Sequence, residues 1–240
     1  MASGRMWATK GKKKDYAETA DSGQFFRSTM LDVPTRLRVA HGVGKTETDA
    51  SIEVFQTLQQ RGHPTAPPAF VSDGWGGIRD AVIEVYGKVP DYCGKGRPPT
   101  RKRPQPGWQY LQVIKHRDAK GHVMGTTLKV IFGDEAEVLE HLGHHTAYVE
   151  RTHLTMRHFS GRLVRKGLGF SKDLEMHKAA AVLEDVYYNL CRPCKSLRQE
   201  LHNETSRRWN PRTPAMAAGL TDHIWTLNEL FSIIGVANNS

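Results

Sequence analysis

Strand and helix patterns alternate along the first half of this chain, and this alternation constrains its fold more than any other feature. Residues 25–31 and 37–43 are short runs rich in apolar and β-branched residues, separated by turn residues at 32–35. A weaker run at residues 7–10 would complete an antiparallel meander. Thr46 then offers a capping oxygen before the amphipathic spacing of Phe55 and Leu58, and a strand at 68–72 precedes a second helix through 78–85. The pattern predicts an α/β fold.

The composition changes between residues 91 and 107. Residues 94–104 carry five basic residues and no acidic one, and their prolines exclude regular structure. This segment is either a solvated loop or a loop that contacts phosphates. Its basic residues are Lys95, Arg97, Arg101, Lys102 and Arg103. Residues 108–116 and 126–132 then alternate as strands do, around a turn at 118–121, which predicts a β-hairpin.

The second half of the chain has the pattern of helices. Ser171 caps a long helix that Pro193 ends. The buried face of this helix is expected to contain Leu174, Leu183, Val186, Tyr187 and Leu190. Thr213, Pro214 and Gly219 supply an N-cap, a first-turn proline and a terminal glycine in that order, which predicts one more short helix.

The charge balance favours a polyanionic partner. Lys and Arg number 34 against 25 Asp and Glu, for a net charge of +9, which favours nucleic acid first and an acidic membrane surface second. No apolar stretch reaches the roughly 20 residues of a membrane-spanning helix, and residues 1–7 lack the apolar core of a signal peptide. Three cysteines make no disulfide framework, and Cys191 and Cys194 lack the second pair of a usual zinc site, so a packing role is preferred.

Two carboxylates that are distant in sequence are the candidates for chemistry. Asp73 closes a short apolar run, and Glu150 opens a basic helix. Carboxylates brought together from a strand end and a neighbouring helix are typical ligands of Mg²⁺ facing a nucleic-acid phosphate. An Asp before a Gly is also a common turn residue, so Asp73 alone does not decide between the two interpretations.

Four strings, ordered along nearly the whole chain, resemble the DDE transposases of prokaryotic insertion sequences, in the branch similar to insertion sequence one. They are FVSDGW at 70–75, YVERTHLTMRHFSGRLVRKGLGFSKDLEMHKAA at 148–180, YYNLCRPCKSLR at 187–198 and WNPRTPAMAAGLTDHIW at 209–225. The resemblance implies an RNase H-like fold, a mixed sheet whose first three strands are antiparallel, with helices on both faces. It implies a catalytic domain over residues 1–200, with the loop 93–107 and the hairpin 108–132 inserted, and a C-terminal helical extension over 201–240.

The resemblance also implies a catalytic site in which three carboxylates bind two divalent ions, Mg²⁺ or Mn²⁺, and a phosphodiester is cut or transferred in line. Asp73 takes the place of the second Asp and Glu150 that of the Glu, both as catalytic residues and as metal ligands. In the family the first Asp lies in a string of the form D-E-x-W followed by G-K-K. Trp7 and the residues 11–13 fit that string, so the first Asp falls on Gly4. A two-metal site therefore requires a replacement for this carboxylate.

Asp32 is the candidate replacement. A hairpin of the first two strands centred near residue 18 would pair residues whose numbers sum to about 36, which would put Asp32 beside Gly4. In the family the matching Asp at the end of the second strand is not a metal ligand. Cys194 is a second departure, because the family more often has His there.

Basic side chains on and after the Glu150 helix are expected to hold a DNA backbone without reading its bases, with a solvated helix face as the alternative. They are Arg151, Arg157, Arg162, Arg165 and Lys166. Arg162, Arg165 and Lys166 would share one face if the helix extends that far.

The resemblance implies a transposase domain for DNA strand cleavage and transfer, inactive if the carboxylate missing at Gly4 has no replacement. The alternative is a non-enzymatic DNA-binding remnant that interferes with an intact transposase, by association with itself or with that enzyme. A structure-selective nuclease would need a complete set of carboxylates. Because the sequence starts at the expected first strand, we expect it to lack the DNA-recognition domain of full-length relatives. We expect a cytoplasmic, nucleoid-associated protein with no membrane partner and no small-molecule substrate.

Overall fold

A computed structural model describes residues 2–9, 24–94, 96–142, 147–163, 173–201 and 208–236. The chain divides into two compact units, one of Met1–Leu31 with Val39–Asp173 and the other of Asp32–Arg38 with Leu174–Ser240. The second of these units includes Leu174–Ser240, whereas the C-terminal helical extension that the resemblance implies covers residues 201–240. Within the described ranges, no helix has the length and apolar character needed to cross a membrane.

The first unit is built on a mixed sheet of six strands in the order β3-β2-β1-β4-β5-β6. The strands are β1 (Ala2–Thr9), β2 (Gln24–Leu31), β3 (Arg38–Gly44), β4 (Phe70–Asp73), β5 (Tyr110–Arg117) and β6 (Val123–Phe132). Strand β1 is antiparallel to β2 and parallel to β4, while β5 is parallel to β4 and antiparallel to β6. The predicted hairpin exists, but β5 pairs directly with β4, so it belongs to the main sheet and is not an insertion.

Helices α1 (Glu47–Gln60) and α2 (Gly77–Tyr86) cover one face of this sheet. Thr46 begins α1 as predicted, since its hydroxyl accepts a hydrogen bond from Asp49 N at 3.0 Å within a capping box. Phe70 of β4 and Tyr110 of β5 stack on this face with ring centroids 4.3 Å apart. We call this the aromatic face. Its buried residues are Met30, Ala40, Val54, Phe55, Leu58, Phe70, Ile78, Ala81, Val82, Tyr86, Trp108 and Tyr110.

The opposite face of the sheet faces helices α3 (Glu135–Leu142) and α4 (Ala147–Phe159). Because successive residues of a strand alternate between faces, Val71 and Leu111 point away from the aromatic face and pack with Val138 of α3. Helix α4 contacts β1 and β2. On β2, the hydroxyl of Ser28 lies 3.1 Å from that of Ser51 on α1, so Ser28 belongs to the aromatic face and Thr29 to the opposite one. We call the side of Val71, Leu111 and Val138 the site face.

Helix α4 ends at Phe159, and a short 3₁₀ turn follows at Gly161–Leu163. Met156 and Leu163 bury their side chains together there. Arg162 is therefore not on the Glu150 helix, and the condition for a shared basic face is not met at that position. Arg165 and Lys166 lie outside the described residues.

The second unit contains α5 (Leu174–Val186), a π-helical turn (Tyr187–Cys191), a 3₁₀ turn (Lys195–Leu197), the two-residue strands β7 (Gln199–Glu200) and β8 (Trp209–Asn210), α6 (Pro214–Ala217) and α7 (Leu227–Val236). The N-cap that starts α6 is confirmed, since Thr213 Oγ1 accepts a hydrogen bond from Met216 N at 3.2 Å. Ser171, the predicted cap of α5, lies outside the described residues.

The buried face of α5 differs from the prediction. Leu183 is 43% exposed, whereas Asp185 is 7% exposed, and His177, Ala181 and Tyr188 are buried with it. The reason is an ion pair, because Arg38 Nη1 donates to Asp185 Oδ1 at 2.9 Å. The Arg38 guanidinium also lies 3.9 Å from the centroid of the Tyr188 ring. A buried charge needs a partner, and this requirement turns the helix away from its most apolar stripe.

Candidate functional site

Asp73 is the last residue of β4, and the turn that follows it is held from the aromatic face. Asp73 Oδ1 accepts a hydrogen bond from Trp75 N at 3.3 Å. Gln112 Nε2 donates to Trp75 O at 3.0 Å. Between them Gly74 leaves no room for a side chain without adjustment, since a Cβ would lie 3.0 Å from Ile114 Cγ1. The backbone around Asp73 is therefore fixed by neighbours on β5.

Gly4 lies level with Asp73 on the adjacent strand. Ala2 of β1 pairs with Val71 of the parallel strand β4. Since both strands advance in the same direction, two further residues bring Gly4 beside Asp73, on the site face. This is the position where the resemblance requires the first carboxylate, and the chain has no side chain there.

Thr29 flanks Gly4 on its other side. The antiparallel register of β1 and β2 pairs Gly4 with Thr29. Thr29 is fully buried, at 0% exposure, and among the described residues its Oγ1 has no hydrogen-bond partner. A buried hydroxyl without a partner is costly, so this oxygen is an unused donor beside the position of the missing carboxylate.

Asp32 does not fill this position. The predicted register, in which the paired residue numbers sum to about 36, is wrong, because Ala2 pairs with Leu31 and Gly4 with Thr29. Strand β2 ends at Leu31, and the Asp32 carboxylate accepts a hydrogen bond from Thr35 N at 3.2 Å within the turn that follows. Met30 and Leu31 are both fully buried, and a register shift would move them out of the core. The geometry gives no support to Asp32 as a substitute ligand.

Glu150 lies in the first turn of α4, and Lys115 of β5 donates a hydrogen bond to its Oε1. Val113, two residues before Lys115, pairs with Asp73, and residues two apart on a strand share a face. Asp73 and Lys115 therefore lie toward the same end of the site face, and Lys115 brings the Glu150 carboxylate to that end. Lys115 was not among the residues predicted for the site, although its place in an alternating strand was the available signal.

The metal expectation can be tested against these side chains. Two carboxylates supply the oxygen ligands that Mg²⁺ prefers. Gly4 has no side chain that could supply a third carboxylate, and the Lys115 ammonium group forms an ion pair with the Glu150 carboxylate. Within the described ranges, no group of three His, Cys, Asp or Glu side chains is arranged to hold a metal. Asp73 and Glu150 supply two carboxylates, one fewer than the three that the resemblance implies for a two-metal set.

The predicted DNA-binding residues fall into two groups that differ in their surroundings. Arg151 and Arg157 are exposed on α4. The loop carries exposed side chains at Arg97, Arg101 and Arg103. The described part of the loop is anchored to α2, since Lys102 Nζ donates to Glu84 Oε1 at 2.7 Å and Lys88 forms backbone hydrogen bonds with Arg103. Lys95 and the side chain of Arg162 lie outside the described residues.

The two neighbouring cysteines lie at the end of the π-helical turn. Burial raises the pKa of the Cys191 thiol, and the nearby Glu229 adds to this effect. The Cys194 thiol donates to the Tyr188 hydroxyl with 3.7 Å between Sγ and the oxygen. Tyr188 in turn stacks on Arg38, so Cys194 contributes to packing in the second unit at the position where the resembling family more often has His.

Comparison with known proteins adds no relative to this picture. No protein-family model, no curated protein and no solved structure matches the chain. The function must therefore be argued from the geometry at the end of the site face and from the basic surfaces around it.

Proposed function

We propose that this protein is a DNA-binding protein derived from a DDE transposase, with an RNase H-like sheet and a strand-cleavage site that lacks one carboxylate. The observation that carries the proposal is the pairing of Ala2 with Val71 on adjacent parallel strands, because this register, extended by two residues, puts Gly4 level with Asp73. The family strings put the first catalytic Asp on Gly4 without any use of structure. The strand register reaches the same residue independently, beside the residue that matches the second Asp.

The architecture supports the same origin. Strands β1 and β2 are antiparallel, β3 follows next to β2, and α1 lies between β3 and β4 in the chain. Helices lie on both faces of the sheet, since Phe70 packs with α1 and α2 while Val71 packs with α3. These features agree with what the resemblance implies for the fold.

The side chains at the site favour binding of a phosphate over its cleavage. A divalent ion held by Asp73 and Glu150 would supply Lewis-acid stabilisation to a phosphodiester oxygen. Lys115 neutralises Glu150 instead, and its ammonium group is also a donor for a phosphate oxygen. Arg151, one residue after Glu150, adds a second exposed cation to the surface. The chain can therefore hold a DNA backbone at this position without metal-dependent chemistry.

This geometry favours the non-enzymatic alternative over an active transposase domain. Gly4 offers no side-chain oxygen to a metal, and the Glu150 carboxylate already has a cationic partner in Lys115. A protein of this kind would occupy the DNA of an intact transposase, or associate with that enzyme, and so interfere with transposition. The parent chemistry would return if the missing carboxylate were restored.

The test is the variant Gly4→Asp, with Gly4→Asn as the matched control of similar size and no charge. We expect the unmodified protein to bind duplex DNA and to leave supercoiled plasmid intact in Mg²⁺ or Mn²⁺. We expect Gly4→Asp to bind Mn²⁺ at least about tenfold more tightly in calorimetry, because a third carboxylate joins the set. Nicking of the plasmid by Gly4→Asp, but not by Gly4→Asn, would be the stronger result.

Three outcomes would contradict the proposal. Mn²⁺ binding that is equal in Gly4→Asp and Gly4→Asn would mean that position 4 does not face the carboxylates. Nicking by the unmodified protein that is lost in Asp73→Asn would mean that the site is complete in some other way. Absence of DNA binding by the unmodified protein would contradict the proposed function directly.

A further inference from the structure

Strands β5 and β6 extend beyond the rest of the sheet as a two-stranded arm. Strand β4 ends at Asp73, which pairs with Val113, so the residues of β5 after Ile114 pair with no strand on that side within the described part of the chain. Lys115–Arg117 continue to pair with β6. All residues from 121 to 129 are exposed, although a strand covered on one face would alternate between buried and exposed positions. We call residues 115–129 the β-arm.

The β-arm is cationic. It contains four Lys or Arg residues, Lys115, Arg117, Lys120 and Lys129, together with two histidines and a single acidic residue, Asp118. Hydrogen bonds from the backbone N–H groups of His122 and Lys120, at 2.8 and 2.9 Å, hold the pKa of Asp118 below its usual range. The one negative charge is thus used to close the turn of the hairpin.

The cations of the β-arm point in several directions. Lys129 pairs across the strands with Gln112, which itself pairs with Ser72 of β4, so Lys129 lies at the base of the β-arm on the aromatic face. Lys115 lies at the base on the site face. Lys120 is at the tip, where Arg117 Nη1 donates to Gly121 O at 2.7 Å and fixes the turn. Met124 and Leu128 are exposed apolar side chains of the ribbon, but its positive charge is distributed over both sides and the tip.

We propose that the β-arm lies in a groove of duplex DNA, with Arg117, Lys120 and Lys129 contacting phosphates on the two walls. The major groove admits a two-stranded β-ribbon, and cations on both sides of a ribbon match phosphates on both walls of a groove. The base of the arm is Lys115, which contacts Glu150, so DNA held at the end of the site face would continue onto the arm. The identity of the partner as DNA rests on the proposed function, and the use of this element is new.

The test compares two triple variants that remove equal charge. The first, Arg117→Gln with Lys120→Gln and Lys129→Gln, is on the β-arm. The second, Lys45→Gln with Arg61→Gln and Arg79→Gln, changes exposed cations of the same unit that lie just after β3, just after α1 and on α2. Binding to a fluorescent duplex is measured by anisotropy at several KCl concentrations, after circular dichroism has confirmed folding.

We expect the arm variant to bind at least about tenfold more weakly, with the slope of log affinity against log salt reduced by about three, since each phosphate contact contributes about one. The control variant should change affinity by less than about twofold. Equal weakening in both variants would overturn the proposal, because it would reflect net charge alone. Normal DNA binding by the arm variant would overturn it while leaving the proposed function intact, and no binding by the unmodified protein would remove the proposed function first.

A second copy of the chain is the competing occupant, because Met124 and Leu128 on the arm are 74% and 41% exposed. The double variant Met124→Ser with Leu128→Ser tests this by light scattering. We expect its mass to equal that of the unmodified protein. A loss of self-association in this variant, with DNA affinity unchanged, would assign the arm to protein contacts and overturn the DNA assignment.

Discussion

The two faces of the six-stranded sheet use the same strands but are built in different ways. The aromatic face buries twelve residues of α1, α2 and the sheet, whose rings make repeated edge and stacking contacts, such as Phe55 with Phe70 at 5.3 Å. Among the residues whose side chains the structure describes, the core of the site face is smaller and consists of Val71, Leu111, Val113 and Val138. Its remaining buried positions include polar side chains, with Thr29 on β2 and Thr152 on α4.

This difference suggests separate roles for the two faces, with the aromatic face providing stability and the site face carrying the candidate functional residues. Burial of apolar area scales with stabilisation, so the aromatic face should supply most of the stability of the first unit. Burial also raises the pKa of Tyr86 on this face to about 12. The site face instead holds Asp73, Lys115 and Glu150 at one end, where charges remain within reach of solvent and of a ligand.

The largest effect is expected for the two neighbouring residues Phe70 and Val71, which point to opposite faces. Phe70→Ala should lower the free energy of unfolding by about 3–5 kcal/mol, because it removes the ring between Phe55 and Tyr110. Val71→Ala should cost about 2 kcal/mol, because fewer atoms are removed from a smaller core. Urea unfolding measures both. Equal losses would break the comparison between the two faces.

A smaller effect of opposite sign is expected for two hydroxyl groups on β2. Thr29→Val should raise the free energy of unfolding by about 1 kcal/mol, since it removes a buried hydroxyl whose oxygen has no hydrogen-bond partner among the described residues. Ser28→Ala should lower it by about 1 kcal/mol, since Ser28 shares a buried hydrogen bond with Ser51 on the aromatic face. Thermal or urea unfolding of the two variants shows whether each substitution raises or lowers the free energy of unfolding. A destabilised Thr29→Val would show that this hydroxyl is used.

The smallest effect concerns the charge at the end of the site face. Lys115→Met should tighten Mn²⁺ binding about fivefold, or about 1 kcal/mol, because it releases the Glu150 carboxylate from a partly exposed ion pair. Lys129→Met, on the opposite face of the same hairpin, is the matched control and should leave Mn²⁺ binding unchanged. Calorimetry measures the Mn²⁺ affinity of each variant and of the unmodified protein. An effect of the same size in both variants would mean that Lys115 acts only through net charge.

The sequence predicted several elements of the first unit because their signals are local. The N-cap at Thr46, the turn after β2 and the strand that leads to Asp73 depend on residues within a few positions of one another. The hairpin of β5 and β6 was predicted for the same reason. That this hairpin belongs to the main sheet was not predicted. The pairing of β5 with β4 joins residues about forty positions apart, and no local sequence pattern indicates such a pairing.

The candidate site shows the same limit. Asp73 and Glu150 could be chosen from the sequence, since each begins or ends an element and matches a family string. The register of β1 and β2 could not be predicted from the sequence. The predicted pairing was wrong by three residues and put Asp32 beside Gly4, where the structure has Thr29. Lys115 was missed because its importance depends on a helix that starts more than thirty residues later.

The order of helices and strands, their caps and turns, and the surplus of positive charge were determined by the sequence alone, because each depends on neighbouring residues or on composition. Only the tertiary structure decided which side chains share the end of the site face, that Gly4 stands beside Asp73, and that β5 and β6 extend as a cationic arm. Strand register and the burial of one face are set by contacts between distant segments. Those contacts form only when the whole sheet assembles.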